Sequence, residues 1–252
     1  MAGRSTDSAC VRHAGWRQHC TGQRHRRSLG RTFRRGAQRA RCQGSAGCLR
    51  FTDPARSPRV SPGDVKAAWQ ELGSSAVVIK ALVPGVAHKS EHGLVRLNVR
   101  TGEEAERVAR ELFEKGQSLG SEGRTRLLVQ PMIAPVAELL VGARVDPEFG
   151  PVIVAGLGGI AVELFKDVAV RLAPVSRVEA EEMLKATRAA KLLTGWRGGP
   201  LGDFKAATEV ICRVSHLIAD LKDEVREFEI NPLAVLPEGA GCLPLDCLLV
   251  RK

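Results

Sequence analysis

No run of about 18 apolar residues occurs in the 252-residue chain, so no membrane-spanning helix is expected. There is no basic-then-apolar leader ending in a small-residue cleavage site, which points away from classical secretion. No G-x-x-x-x-G-K-[ST] is present, which excludes a P-loop. The seven cysteines form no zinc pattern: Cys42 and Cys48 are separated by five residues, and Cys10 with His13 and Cys20 with His25 lack matching partners. Seven cysteines without a leader fit a reducing cytoplasm, and Cys212, Cys242 and Cys247, in apolar stretches, read as reduced core residues. No internal repeat is visible.

Lysine is missing from the first 59 residues, and so, nearly, is acid: 14 Arg stand against Asp7 and Asp53, a net of +12. Residues 60–252 hold 24 Lys and Arg against 26 Asp and Glu, a net of −2. The formal charge of +10 is therefore a property of the first quarter of the chain and not of the whole. That quarter lacks helical and alternating apolar periodicity and has few large apolar residues. It cannot bury enough surface to offset its ordering entropy, so residues 1–59 are expected to be disordered. A basic arm for nucleic acid is the functional alternative, but no aromatic interleaving supports it.

What is present begins near residue 60. Hydrophobic residues are 44% and charged residues 26% of the chain, an ordinary globular balance. Residues 63–72 read as a short helix and 76–81 (AVVIKA) as a buried strand. Residues 83–93, with Pro and two Gly, read as a loop, and 94–99 as an alternating strand. Thr101-x-x-Glu104 is a capping box, followed by Ala105, Val108, Ala109, Leu112 and Phe113 at helical spacing. Residues 126–130 read as a strand. Residues 138–145 and 151–155 read as a strand pair joined by a turn over 146–150. Residues 161–165 and 169–172 are further strands. A helix is expected over 177–194, and a Gly/Pro loop over 195–202. Asp203 caps a long helix with Ala207, Val210, Ile211, Val214, Leu217, Ile218 and Leu221 on one face. Two strands near 225–230 and 242–250, with a turn at 237–241, close the chain. The fold class is α+β (α/β), with mixed sheets in one or two lobes.

Several motifs carry chemistry. Gly156-Leu-Gly158-Gly-Ile-Ala161 fits G-x-G-x-x-A, but the residues after it alternate like a strand, so the helix N-terminus needed for a dinucleotide site is missing. It reads as a tight glycine turn. Glu163 with Asp167 and Glu181 with Glu182 read as solvated charges, and His216 as structural. Lys80 ends a buried strand, either as a snorkelling side chain or as a point charge aimed at phosphate. The His88-Lys89-Ser90-Glu91-His92-Gly93 loop is either solvated or a source of amides and side chains for phosphates. Alternation puts Glu229 and Asn231 on one face of a strand, with Phe228 and Ile230 on the other. Asp246 lies in the next apolar strand. Asn231 and Asp246 either hold magnesium together with nucleotide phosphates or hydrogen-bond to each other.

Three blocks in this order, AVVIKALVPGVAHKSEHGLV, LLVQPMIAPVAELLVGARVDPEFGPVIVAGLGGIAVELFKDVAVRLAPV and EFEINPLAVLPEGAGCLPLDCLLV, resemble the ATP-grasp module of the NDP-forming acyl-CoA synthetases. This group includes ADP-forming acetate–CoA ligase and, more distantly, the succinyl-CoA synthetase beta subunit. The resemblance covers residues 60–252. It implies an ATP-grasp fold whose two α+β lobes grip ATP. It places nucleotide-phosphate contacts on Lys80, Ala87, His88 and Lys89, an adenine hinge on Gln130, Met132 and Ile133, and a ribose-side carboxylate on Glu138. It places magnesium ligands on Asn231 and Asp246, and makes His88 a phosphoryl acceptor. The implied activity is that of an acid–CoA ligase (ADP-forming), which interconverts acyl-CoA, ADP and phosphate with acid, CoA and ATP through an acyl phosphate and a phosphohistidine.

The sequence departs from that pattern. The family's loop carries two glycines where this chain has Gly93-Leu94. Residues 1–59 do not supply the beginning of the first lobe, which is expected to be incomplete, and the CoA-binding and ligase domains are expected in trans. The alternative is a truncated, inactive remnant that at most binds a partner.

Overall fold

The computed structural model describes residues 59–86, 89–119, 125–159 and 167–252. The disorder expected for residues 1–59 and the strand expected over 161–165 lie outside these residues, apart from Arg59. Arg59 belongs to a short strand that was not expected, because the first element expected was the helix over 63–72. The described chain divides into two compact bodies, residues 53–133 and 134–252.

The first body is a four-stranded sheet in the order β1-β4-β2-β3: β1 Arg59–Val60, β2 Val77–Leu82, β3 Val95–Val99 and β4 Arg126–Pro131. Helices α1 (Val65–Leu72) and α2 (Gly102–Leu119) supply the rest of its core. Val77, Ile79 and Ala81 of β2 alternate onto the fully buried side, against Ala105, Val108, Ala109 and Leu112 of α2. The expected helix face is therefore the one that packs. The Thr101 hydroxyl accepts from the Glu104 N–H, while the Glu104 carboxylate accepts from the Arg100 N–H, one residue outside the expected box. α1 ends at Gly73, whose φ of 56° is the left-handed conformation of a helix stop.

The second body is a six-stranded sheet in the order β10-β8-β5-β6-β7, with β9 added on β8. Its strands are β5 Ala137–Asp146, β6 Gly150–Leu157, β7 Val168–Leu172, β8 Val225–Val235, β9 Cys242–Pro244 and β10 Cys247–Arg251. Helices α3 (Arg177–Lys185), α4 (Ala189–Leu193) and α5 (Phe204–Asp220) share one core with this sheet. Leu139, Val141 and Ala143 of β5, Phe228 and Ile230 of β8 and Ile211, Val214 and Ile218 of α5 lie within it. All pairings between described strands are antiparallel, which corrects the expectation of mixed sheets.

Two further expectations are corrected. The helix expected over 177–194 is broken after α3. The Thr187 hydroxyl donates to the Leu184 carbonyl, and the Arg188 N–H donates to the distant Asp167 carboxylate at 2.6 Å, so side-chain bonds replace the helical ladder. The strand expected near 225–230 runs on to Val235. The capping of α5 is as expected: the Asp203 carboxylate accepts from the Ala206 N–H. It also accepts from the Gly241 N–H at 2.9 Å, tying the helix start to the turn after β8. Among the described residues, Cys212, Cys242 and Cys247 are in no disulfide. Cys242 is buried, and burial pushes its thiol far up. No described helix is long and apolar enough to cross a membrane.

Candidate functional site

Lys80 sits near the end of β2, on the face opposite Val77, Ile79 and Ala81, and is only 8% exposed. It pairs with Leu128, and Val78 pairs with Gln130. Facing residues of an antiparallel pair project to the same side, so Lys80 and Gln130 are diagonal neighbours on one face of the sheet. Met132 follows at the strand's end, 39% exposed, with its N–H donated to the Ala76 carbonyl. Ile133 is half-buried beside it. The structure thus gathers Lys80, Gln130, Met132 and Ile133 around β2 and β4.

The loop after β2 is closed by its own backbone: the Leu94 N–H donates to the Lys89 carbonyl at 2.8 Å, and the Gly93 N–H to the Ser90 carbonyl at 2.9 Å. These bonds tie the Lys89 backbone to the residue before β3. Ala87 and His88 lie outside the described residues. The departure at Gly93-Leu94 has a packing reason, because Leu94 is fully buried in the core of the first body.

The second body presents a cluster on the sheet face opposite α3, α4 and α5. Glu138 projects there from β5, since Ala137 and Leu139 on either side enter the core. Burial pushes its carboxyl pKa up. Glu229 and Asn231 lie on the same face of β8, with Phe228 and Ile230 inward, as expected. Between Leu139 and Val141 the β5–β8 register shifts, so that Asn231 and Pro232 together oppose Leu140. Such a bulge re-aims a side chain at the point where it interrupts the ladder.

Asp246 comes to the same place. Cys247 pairs with Ile230 and Pro244 with Leu233, so Asn231 faces Asp246 between them. The Asn231 N–H donates to the Asp246 carbonyl at 3.1 Å, and the Leu245 N–H to the Pro232 carbonyl at 3.0 Å. The two side chains therefore share a face, and the Asp246 carboxylate takes one further bond from the Cys247 N–H at 3.0 Å.

One pair of residues was read in the sequence only as a turn. Gly158 and Gly159 follow β6, and the Gly159 N–H donates to Asn231 Oδ1 at 3.1 Å. The Gly158 N–H donates to the Glu138 carbonyl at 2.8 Å. Two glycines where a strand ends were the available signal, but spacing alone cannot show that a loop amide meets a residue 72 positions later.

Carboxamide and carboxylate oxygens on facing positions are the hard donors that magnesium takes, and magnesium commonly completes its shell with water and phosphate oxygens. Among the described residues no three His, Cys, Asp or Glu side chains converge as a metal cage. The donor set fits a cation that arrives with a nucleotide.

Comparison with known proteins bears on this geometry. The ATP-grasp domain family matches residues 54–250. The beta subunit of acetate–CoA ligase (ADP-forming) II from Pyrococcus furiosus is 34% identical over 184 residues, covering 73% of this chain and 78% of the subunit. Acetate–CoA ligase (ADP-forming) I from Archaeoglobus fulgidus is 41% identical over 174 residues, covering 69% of this chain but 25% of that longer protein. Among solved structures, the dinucleotide-forming acetyl-coenzyme A synthetase 1 of Ca. Korarchaeum cryptofilum, in complex with coenzyme A and Mg-AMPPCP, superposes with a TM-score of 0.62 at 35% identity. That match covers 75% of this chain and 82% of the neighbour, whose phosphohistidine segment points towards the nucleotide-binding site. The chain belongs to the ATP-grasp domain family, and its relatives are beta subunits and longer chains of ADP-forming acetate–CoA ligases.

Proposed function

We propose that this chain is the ATP-binding part of an ADP-forming acid–CoA ligase, working in the cytoplasm with a partner chain that carries the CoA-binding and ligase domains. The observation that carries this reading is the cluster of Glu138, Asn231 and Asp246 on one face of the second body, within a chain of this family. The Archaeoglobus relative supports the partner, because this chain aligns with only a quarter of it. The ATP-grasp domain is taken to begin near residue 60, with residues 1–59 outside it.

In this reading Lys80 and Lys89 offset the charge of the nucleotide phosphates, which Ala87 and His88 also contact. Gln130, Met132 and Ile133 hold the adenine, and Glu138 the ribose. Asn231 and Asp246 hold magnesium, which when bound neutralises charge that develops on the phosphates. A ring nitrogen of His88 attacks the γ-phosphorus and the bond to the bridging oxygen breaks. ADP leaves, the imidazole gives up its ring proton to solvent, and the phosphoryl group passes on to form the acyl phosphate consumed with CoA in the partner. ATP labelled in the γ-phosphate should mark the full chain, and His88→Ala should abolish the mark. Label retained by that variant would remove His88 from the mechanism.

A further inference from the structure

We propose that the turn of Gly158 and Gly159 is a positioning device that holds the Asn231 carboxamide oxygen ready for the cation of a metal–nucleotide pair. The inference rests on the proposed role of Asn231 and Asp246. β5 lies between β6 and β8 in the sheet. The bond from the Gly159 N–H to Asn231 Oδ1 therefore reaches over β5 from a residue beyond the end of β6. Two irregularities meet there, the bulge that offers Asn231 and the turn that offers the amide.

A carboxamide oxygen has two lone pairs. The Gly159 amide occupies one and fixes the group's rotation, leaving the other to ligate. Groups that orient a metal ligand in this way govern affinity although they never touch the ion.

Only glycine fits. Gly159 has φ of +64°, and a β-carbon there would press on Glu138 Oε2. A β-carbon on Gly158 would strike the backbone of Leu139 and Leu140. The absence of both side chains lets the turn settle onto β5 beside the Glu138 carboxylate and still reach β8.

The test uses the full chain with Mn²⁺ as probe, titrated with and without AMPPCP and read by electron paramagnetic resonance of the free ion. Gly159→Ala keeps the N–H but drives a methyl group into Glu138. It should weaken Mn²⁺ binding in the presence of AMPPCP by about 10- to 100-fold, the range found for groups that orient metal ligands. The loss of Mn²⁺ should exceed any fall in metal-free nucleotide affinity that a displaced Glu138 brings, and a cooperative melt should be retained. The double variant Glu138→Ala/Gly159→Ala removes the clash but keeps the strain at φ of +64°, so it should still bind Mn²⁺ more weakly than Glu138→Ala alone. If Gly159→Ala does not fold, Gly159→Asn, which tolerates the left-handed conformation, is read in the same way. A folded variant at Gly159 with wild-type Mn²⁺ affinity overturns the proposal. Asp246→Asn separates the two levels. If it loses Mn²⁺ while Gly159→Ala keeps it, only the positioning role falls. If it too leaves Mn²⁺ untouched, the metal reading falls and this inference with it.

Discussion

Lys80 shows how a residue acquires a role from its place. A lysine that is 8% exposed near the end of a strand is placed to direct a point charge at a phosphate. Replacing it with Met keeps the stem and removes the charge. If Lys80 holds phosphate, turnover of the complex should fall by about 100-fold or more, as when a charge-stabilising donor is removed. Steady-state kinetics of the assembled enzyme checks this. Glu138 gives a prediction in pH. Burial raises its carboxyl pKa, so the folded state favours the protonated form. The stability linked to that proton is present in acid and is lost as pH rises through the folded pKa. Glu138→Gln should therefore melt above the wild type at pH 7, and the gap should close toward pH 4. The face on which Asn231 lies was legible in the sequence, because strand alternation fixes which way a side chain points. The Gly159 contact was not, because it joins two irregularities, and neither a bulge nor a turn has a period to read.

At the scale of elements, α5 is the best-specified piece. Its apolar face, its Asp203 cap and its length all follow from spacing. Asp203 is also nearly buried and serves Gly241, so Asp203→Ala removes a helix cap and leaves a second amide without its acceptor. A loss of about 1–3 kcal/mol in urea unfolding is expected. Phe228→Ala, at the centre of the same core, should cost about 3–5 kcal/mol. The hairpin of β5 and β6 was equally legible, because Asp146 accepts from the Glu148 and Phe149 amides and builds the turn itself. The break between α3 and α4 was hidden, because the 177–194 pattern is periodic throughout and the competing bond comes from Asp167, 21 residues away. The extension of β8 past Asn231 was hidden for a related reason: proline normally weakens a strand, and here a bulge accommodates it.

For the whole molecule, the charge is the clearest case of a property that belongs to a part. Residues 1–53 carry 12 Arg against two Asp, and their removal leaves a formally neutral chain. The family match begins at residue 54. Removing residues 1–53 should therefore leave ATP affinity unchanged, while any salt-dependent retention on nucleic acid should disappear with the arm.

The central claim is that this chain binds ATP together with magnesium. Thermal unfolding of the full chain with and without ATP and magnesium tests it most directly, alongside calorimetric titration of ATP. The account predicts one cooperative transition that rises with ATP concentration, as binding to the folded state requires, and rises further when magnesium is added. It also predicts that Asp246→Asn removes the magnesium increment but keeps the transition. A melt that ATP does not move at any magnesium concentration, with no heat of binding, would contradict it and leave an inactive ATP-grasp module.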